Sequence, residues 1–397
     1  MRIIKRRLIF LIIFVLTGCN QQKPESAKKG SSWEKIPRFA MYTHKEGDLS
    51  DQDIKKLASE FDIVCIHPCF PGEVRTSKTV LRNEKDIWLI AARLKAVDPD
   101  VKLLYYINTI LDWPNYEGHS VFSLHPEWQL KDIYGEPYFF SIARGLYKTG
   151  AYNFNNPDMR KWWVDQCREA IKNGMDGIFA DAVPKTAMRE KENRKEWGDE
   201  NFEKMVEGLT ELLKETKQAI GKDNLLIFNG LRGNFEAWDG GLKYLEYTDG
   251  AMIEHFAHIP QTGNYTVAPE TLENELKLYL EGVKQGKIML VKAWPDFGPD
   301  FWTWVYEQHN SELDLQAKKS ITFPLACFLI GAGEDSYFGY SWSYYEGAGW
   351  LLDYPELVKK TGKPKGLPVK DGWIYTREFE NASVWVNIET QEAKINW

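Results

Sequence analysis

Two acidic residues in this 397-residue chain each close a short apolar run. Asp181 ends Gly177-Ile178-Phe179-Ala180-Asp181, and Glu254 ends Gly250-Ala251-Met252-Ile253-Glu254. Short apolar runs bounded by polar breaks read as strands, so each carboxyl is delivered to a strand end. Such a pair suits acid and base chemistry: one carboxylic acid protonates a leaving oxygen while an ionised partner attacks carbon or activates water. Hydrolysis of a glycosidic bond needs that division of labour. Other strand-like runs end in His44, His67, Asn108, Asn229, Lys292 and Tyr340. Eight polar ends converging on one place favour a site, because buried charges are costly to keep for structure alone. Lys292, Asn229, Asn108 and Tyr106 are expected to orient substrate hydroxyls, and His44, His67, Trp294, Asp296, Tyr340 and Trp342 to wall the cleft. Asp296, in Lys292-Ala293-Trp294-Pro295-Asp296, is a fallback acid, and Asp335 a second one that falls near the start of the last strand. A structural alternative has Asp181 accepting hydrogen bonds from the loop after it and Glu254 paired with Lys292. In the site reading Lys292 instead keeps a nucleophilic carboxylate ionised.

The order of elements says what positions these groups. From residue 38 onward strand-like and helix-like runs alternate: RFAMYTH, DIVCIHP, KLLYYINT, GIFADAV, LLIFNGL, GAMIEHF, IMLVKAW and DSYFGYS are eight strands separated by seven amphipathic stretches. This predicts an α/β fold, a (β/α)8 TIM barrel, whose working face is the carboxyl end of the strands. Ser50 with Asp53, and Asn156 before Pro157, are helix starts, while Gly221 and Gly286 are helix stops. The segment 234–247 is read as a helix, and 313–330 as one helix. Residues 110–155 and 295–312 are long loops after the third and seventh strands, the first with a hairpin turning near Tyr134-Gly135. Past residue 350 the period changes to strand alternation, with a hairpin around Glu380-Asn381 and a third strand at the end; the expected arrangement is a barrel over 33–350 and a small β appendage over 351–397 packed on it.

The net charge of −7 supplies no basic footprint for nucleic acid, and 43% hydrophobic residues suffice for a large core. Cys65-Ile66-His67-Pro68-Cys69 lacks a second cluster with zinc spacing, so no metal and no cofactor are expected. Trp113, Trp128, Trp238, Trp294, Trp302, Trp304, Trp342 and Trp350 fall after strand ends, where indole faces could pack on sugar C–H groups; Trp162 and Trp163 are expected to be packing residues. At the N-terminus, Arg2, Lys5, Arg6 and Arg7 precede the apolar run Leu8 to Leu16, which ends in Leu16-Thr17-Gly18-Cys19. The run is too short to span a bilayer and resembles a bacterial lipoprotein signal, which implies cleavage before Cys19, acylation of its thiol and an extracytoplasmic, lipid-anchored protein. Residues 20–32 hold no large apolar group and read as a tether.

The segment YNFNNPDMRKWWVDQCREAIKNGMDGIFADAV, residues 152–183, resembles barrel glycoside hydrolases of the hypothetical glycosyl hydrolase and endo-α-1,4-polygalactosaminidase-like groups. There an asparagine-proline helix start leads through a glycine-aspartate-glycine turn to a strand ending in aspartate. The resemblance implies a glycosidase acting on an oligo- or polysaccharide. By analogy with related α-galactosidase-type barrels, it implies Asp181 as nucleophile and Glu254 as acid/base, hence retention of configuration. A glutamate stands where those barrels commonly use aspartate, and its extra methylene makes the carboxyl separation the quantity to measure. The rival reading is a glycan-binding lipoprotein that keeps the cleft without turnover. The absence of a GxSxG elbow counts against other hydrolases.

Overall fold

The computed structural model describes residues 33–43, 49–67, 84–142, 147–233, 239–257, 268–297, 311–344 and 348–397. Residues 1–32, which include the expected signal, Cys19 and the expected tether, lie outside the described residues, as do His44, Cys69, Trp238, Trp302 and Trp304.

The chain runs β1 (Phe39–Thr43), α1 (Asp51–Glu60), β2 (Ile63–His67), α2 (Glu84–Val97), β3 (Lys102–Asn108) and α3 (Gly118–Phe122). An inserted hairpin of β4 (Phe139–Ile142) and β5 (Tyr147–Gly150) leads to α4 (Pro157–Lys172) and β6 (Gly177–Asp181). Three helices, α5 (Val183–Ala187), α6 (Glu190–Trp197) and α7 (Asp199–Ile220), precede β7 (Leu225–Asn229) and β8 (Gly250–Phe256). Then come α8 (Pro269–Lys284), β9 (Ile288–Ala293), α9 (Ser311–Ser320), α10 (Thr322–Gly331) and β10 (Ser336–Tyr340). The chain finishes with β11 (Pro364–Asp371), β12 (Ile374–Phe379), β13 (Ser383–Asn387) and β14 (Glu392–Asn396).

Eight parallel strands, in the order β1-β2-β3-β6-β7-β8-β9-β10, form the barrel. The ring closes where Phe338 N–H donates to Pro37 C=O at 2.8 Å and Arg38 bridges to Phe338. All eight expected strands are present at the expected places. Strands buried on both faces explain why these runs are almost wholly apolar. Helix starts follow local chemistry: Ser50 Oγ accepts from Asp53 N–H at 3.1 Å, and Asn156 Oδ1 accepts from Asp158 and Met159 N–H at 2.9 and 3.2 Å.

Three expectations need correction. Between β7 and β8 the described chain forms only a 3-10 turn, Leu242–Tyr247, because Gly240 and Gly241 both take positive φ, 72° and 89°, and end any α-helical path. The stretch 313–330 is two helices: Pro324 has no N–H to give to the Ser320 carbonyl, so the first helix stops at Ser320. The tight turn at Asp132–Glu136 exists, with a bridge between Lys131 and Pro137, but the paired strands of the insertion are β4 and β5 further along.

The C-terminal sheet has four antiparallel strands, one more than expected, since β11 is largely exposed and its two large apolar residues, Leu367 and Val369, sit among Gly366, Pro368 and Lys370. It packs on α10: Arg377 Nη1 donates to the Leu329 and Ile330 carbonyls at 3.1 and 2.7 Å, satisfying the helix end, and Trp33 stacks on Phe328 and packs at a tilt against Phe379.

Candidate active site

Asp181 and Glu254 meet across one side chain. Gly177 opens β6 and Gly250 opens β8, and each carboxylate follows four residues later, on the same face of its strand. A Cβ on Gly177 would lie 2.4 Å from the Leu225 carbonyl oxygen, and one on Gly250 2.1 Å from that of Ile288. The glycines therefore let the neighbouring strands close in beneath the site. Beyond each carboxylate the backbone turns through a left-handed residue, Ala182 (φ 65°) and His255 (φ 63°), and the β8–β9 register slips between Ile253 and Phe256. Non-glycine residues hold such angles only where surroundings fix them. Here Thr109 N–H and Oγ1 donate to the Asp181 carbonyl at 2.9 and 2.7 Å, and Arg232 Nη1 to the Glu254 carbonyl at 2.9 Å.

Asn229, at the end of the strand between them, donates through Nδ2 to Asp181 Oδ1 at 2.9 Å and to Glu254 Oε2 at 2.8 Å. One amide NH2 has two hydrogens, so a single nitrogen serves both carboxyls. Asp181 Oδ2 takes Tyr106 OH at 2.6 Å and Asn108 Nδ2 at 3.2 Å. Glu254 Oε2 takes Arg232 Nη2 at 3.0 Å, and its Oε1 takes the Tyr344 hydroxyl, with His255 Nε2 at 3.6 Å. Trp163 Nε1 holds the Asn108 carbonyl at 3.0 Å from the helix layer.

The two carboxyls differ in acidity. Burial, aided by the Glu254 charge, raises the Asp181 pKa against the pull of Tyr106 and Asn229. Burial also works against an ionised Glu254, but His255 and Arg232, with hydrogen bonds from Tyr344 and Asn229, overrule it and hold its carboxyl well below the usual range. Burial in turn pushes the His255 imidazole down to about 4, so near neutral pH Arg232 is the standing cation of the pair. On charge alone Asp181 is the proton carrier and Glu254 the anion, the reverse of the division of labour that the resemblance implies.

The other expected residues divide. Tyr106, Asn108 and Asn229 touch the pair. His67 bonds Thr43 Oγ1 at 2.8 Å and packs its ring 4.0 Å from that of Tyr106, so it supports the site from beneath. Lys292 is not presented to a cleft: it is fully buried, donates to the Ser341 carbonyl at 2.8 Å and sits 3.2 Å from the Trp294 ring centroid. Nor does it ion-pair with Glu254, whose cation is Arg232. Trp294 stacks on His255 at 5.2 Å and is nearly buried. Tyr340 points to the helix layer, bonding the Ala317 carbonyl at 3.0 Å, and Trp342 is buried against Phe297. Asp296 is exposed, with its main chain tied to Ser320 and Gln316. Asp335 precedes β10 at the opposite end of the barrel, its carbonyl accepting from Met289 N–H. Trp113, Trp128, Trp342 and Trp350 are buried, so these indoles are packing residues rather than sugar platforms. Sequence reasoning missed three residues: Arg232 and Tyr344 stand three and four residues beyond the polar ends of their strands, and His255 lies within β8, one residue after the Glu254 that closes its apolar run.

Among the described residues no three His, Cys, Asp or Glu side chains are grouped to hold a metal ion, and no helix is long and apolar enough to cross a membrane. Cys65, Cys167 and Cys327 are buried thiols.

Comparisons with known proteins bear on this arrangement. An α-galactosidase from Thermus thermophilus, solved with p-nitrophenyl α-D-galactopyranoside, shares the fold at 14% identity and a TM-score of 0.51, over 90% of this chain and 67% of that one. The glycoside hydrolase domain of PelA from Pseudomonas aeruginosa matches at 13% identity and a TM-score of 0.47, over 81% of this chain and 96% of that one. An α-L-fucosidase isoenzyme from Paenibacillus thiaminolyticus matches at 12% identity and 0.48, over 82% and 48%. No curated protein sequence matches the chain. The model of hypothetical glycosyl hydrolase family 15 matches residues 95–383, which takes in β3 through β12 and both carboxylates, and the chain belongs to that family.

Proposed function

We propose that this protein hydrolyses an O-glycosidic bond of an oligo- or polysaccharide, with Asp181 and Glu254 as the reacting pair. The observation that carries this reading is the Asn229 bridge. Its bonds of 2.9 and 2.8 Å hold the bridged oxygens no more than about 5.7 Å apart, close to the roughly 5–5.5 Å carboxyl spacing of retaining pairs. That spacing supports a double displacement with retention: one carboxylate attacks the anomeric carbon, the other protonates the leaving oxygen and then deprotonates the incoming water. Tyr106, Asn108, Asn229, Arg232 and Tyr344 orient the two carboxyls. We also propose, from the sequence alone, that the mature chain begins at an acylated Cys19 and works outside the cytoplasm.

Affinity and reducing-end release, measured with a panel of α- and β-linked glycans, test the reading. Wild-type protein is expected to release reducing ends from one linkage class. Asp181→Asn and Glu254→Gln are each expected to lower that rate about 10³-fold or more while binding persists. Glycan affinity with no turnover in the wild type would identify a binding protein instead.

A further inference from the structure

Lys185 and Arg189 stand apart from every comparable cation. Among the described residues, each other buried or half-buried lysine and arginine donates to a carboxylate or a main-chain carbonyl: Arg38 to Glu60, Arg160 to Glu215, Lys217 to Asp249, Arg232 to Glu254, Lys292 to Ser341, and the rest likewise. The Lys185 ammonium and the Arg189 guanidinium, both half-buried, make no such bond with a described residue. Leaving a partly desolvated charge unpaired is costly, so its retention asks for a partner from outside the chain.

Their position is built. α5 leaves β6 directly after Asp181 through left-handed Ala182, with Pro184 in its first turn. Asn193, buried on α6, donates through Nδ2 to the carbonyls of Lys185 and Thr186 at 2.9 and 2.8 Å, and its N–H donates to the Arg189 carbonyl at 2.8 Å. One asparagine thus fixes the main chain that carries both cations. Lys185 Nζ lies 5.8 Å from the ring centroid of Phe140 on the inserted hairpin. Burial lowers the Lys185 pKa, and the fields of Asp181 and Glu254 reach it from the other side. Yet neither carboxylate uses it: Asp181 is bonded by Tyr106, Asn108 and Asn229, and Glu254 by Asn229, Arg232 and Tyr344.

We propose that Lys185 and Arg189 form a subsite beside Asp181 for an anionic group of the glycan, a uronate carboxylate or a sulfate ester, so that the substrate is an acidic saccharide. This rests on the glycosidase reading above. A guanidinium offers a planar fork to a carboxylate or sulfate, and an ammonium a point charge, so the two together select for charge and orientation. No bond is made or broken at this subsite.

The test compares oligosaccharides of one linkage in neutral, uronate-bearing, sulfated and amino-sugar forms. Binding is measured by titration calorimetry in Glu254→Gln protein, and kcat and KM in protein with both carboxyls intact. The expected result is a preference of tenfold or more for an acidic form, which Lys185→Ala with Arg189→Ala collapses through KM. Lys185→Arg with Arg189→Lys should retain it, and this charge-keeping variant controls for folding. Preference for the uronate marks a carboxylate site, and preference for the ester a sulfate site. Neutral or amino-sugar forms binding as tightly as the acidic ones, or a preference that survives the double alanine variant, would overturn the proposal. Acidic forms bound through Lys185 and Arg189 but never cleaved would leave the subsite standing and remove the glycosidase reading.

Discussion

Asn229 donates to two carboxylates at once and so makes their titration a joint property. In the proposed reaction the pair carries one proton, since the Glu254 pKa lies well below the usual carboxylate range and that of Asp181 is raised above its ordinary value. Activity should therefore persist at acid pH and fall as pH rises through the raised Asp181 value. Both limbs of the pH profile report the pair and not one residue. Asn229→Ala removes the donor that both anions share and is expected to cost about 10²-fold in kcat/KM. It should also move the alkaline limb, which a pH profile of kcat/KM would show; an unmoved limb would mean that Asn229 only packs. The carboxylates, Tyr106, Asn108 and Asn229 were legible in the sequence because each closes or lines an apolar run. Lys292 was misread for the same reason. A polar residue ending a strand can lean under the aromatic layer as well as into the cleft, and only packing decides which.

At the scale of elements, the two glycine-led strands set the separation of the acids. Gly177→Ala and Gly250→Ala would drive a methyl into the Leu225 or Ile288 carbonyl, and each is expected to cost about 1–3 kcal/mol, or more where the strands cannot part. Chemical denaturation measures this, and wild-type stability in both would show that the strands are loosely spaced. Glu275 on α8 is a second element-level test. It is fully buried, and burial raises its pKa to about 8 against the opposing field of Arg232. Because its folded value lies above the unfolded one, its proton favours the fold at acid pH, and stability is lost as pH rises from about 4.5 towards 8. Glu275→Gln should therefore raise stability relative to wild type by about 1–3 kcal/mol at pH 8 and by little at pH 4. Equal effects at the two pH values would refute this. The strand runs were readable from apolar continuity and the helix starts from Ser50 and Asn156. The short 3-10 turn at Leu242–Tyr247 and the break at Ser320 were not, because amphipathic spacing continues across Gly240-Gly241 and Pro324 while the backbone does not.

For the molecule as a whole, the barrel order was legible because alternation of apolar runs and amphipathic segments leaves few topologies open. The appendage was partly legible: β12 to β14 alternate, but β11 is interrupted by Gly366 and Pro368, exposes Leu367 and Val369, and is recruited by pairing with β12. The proposed N-terminal lipid anchor makes a separate prediction. Cys19→Ser should block acylation and shift the protein from membrane to soluble fractions, followed by fractionation and labelled palmitate; unchanged membrane retention would remove the anchor from the account. The central claim is the reacting pair, and a glycosidase probe that traps a covalent glycosyl-enzyme tests it most directly, with the label located by peptide mass spectrometry. The account predicts that the label sits on Asp181 or Glu254, which also names the nucleophile, and that the matching amide variant takes none. A label on any other carboxyl, Asp296 for example, would contradict it.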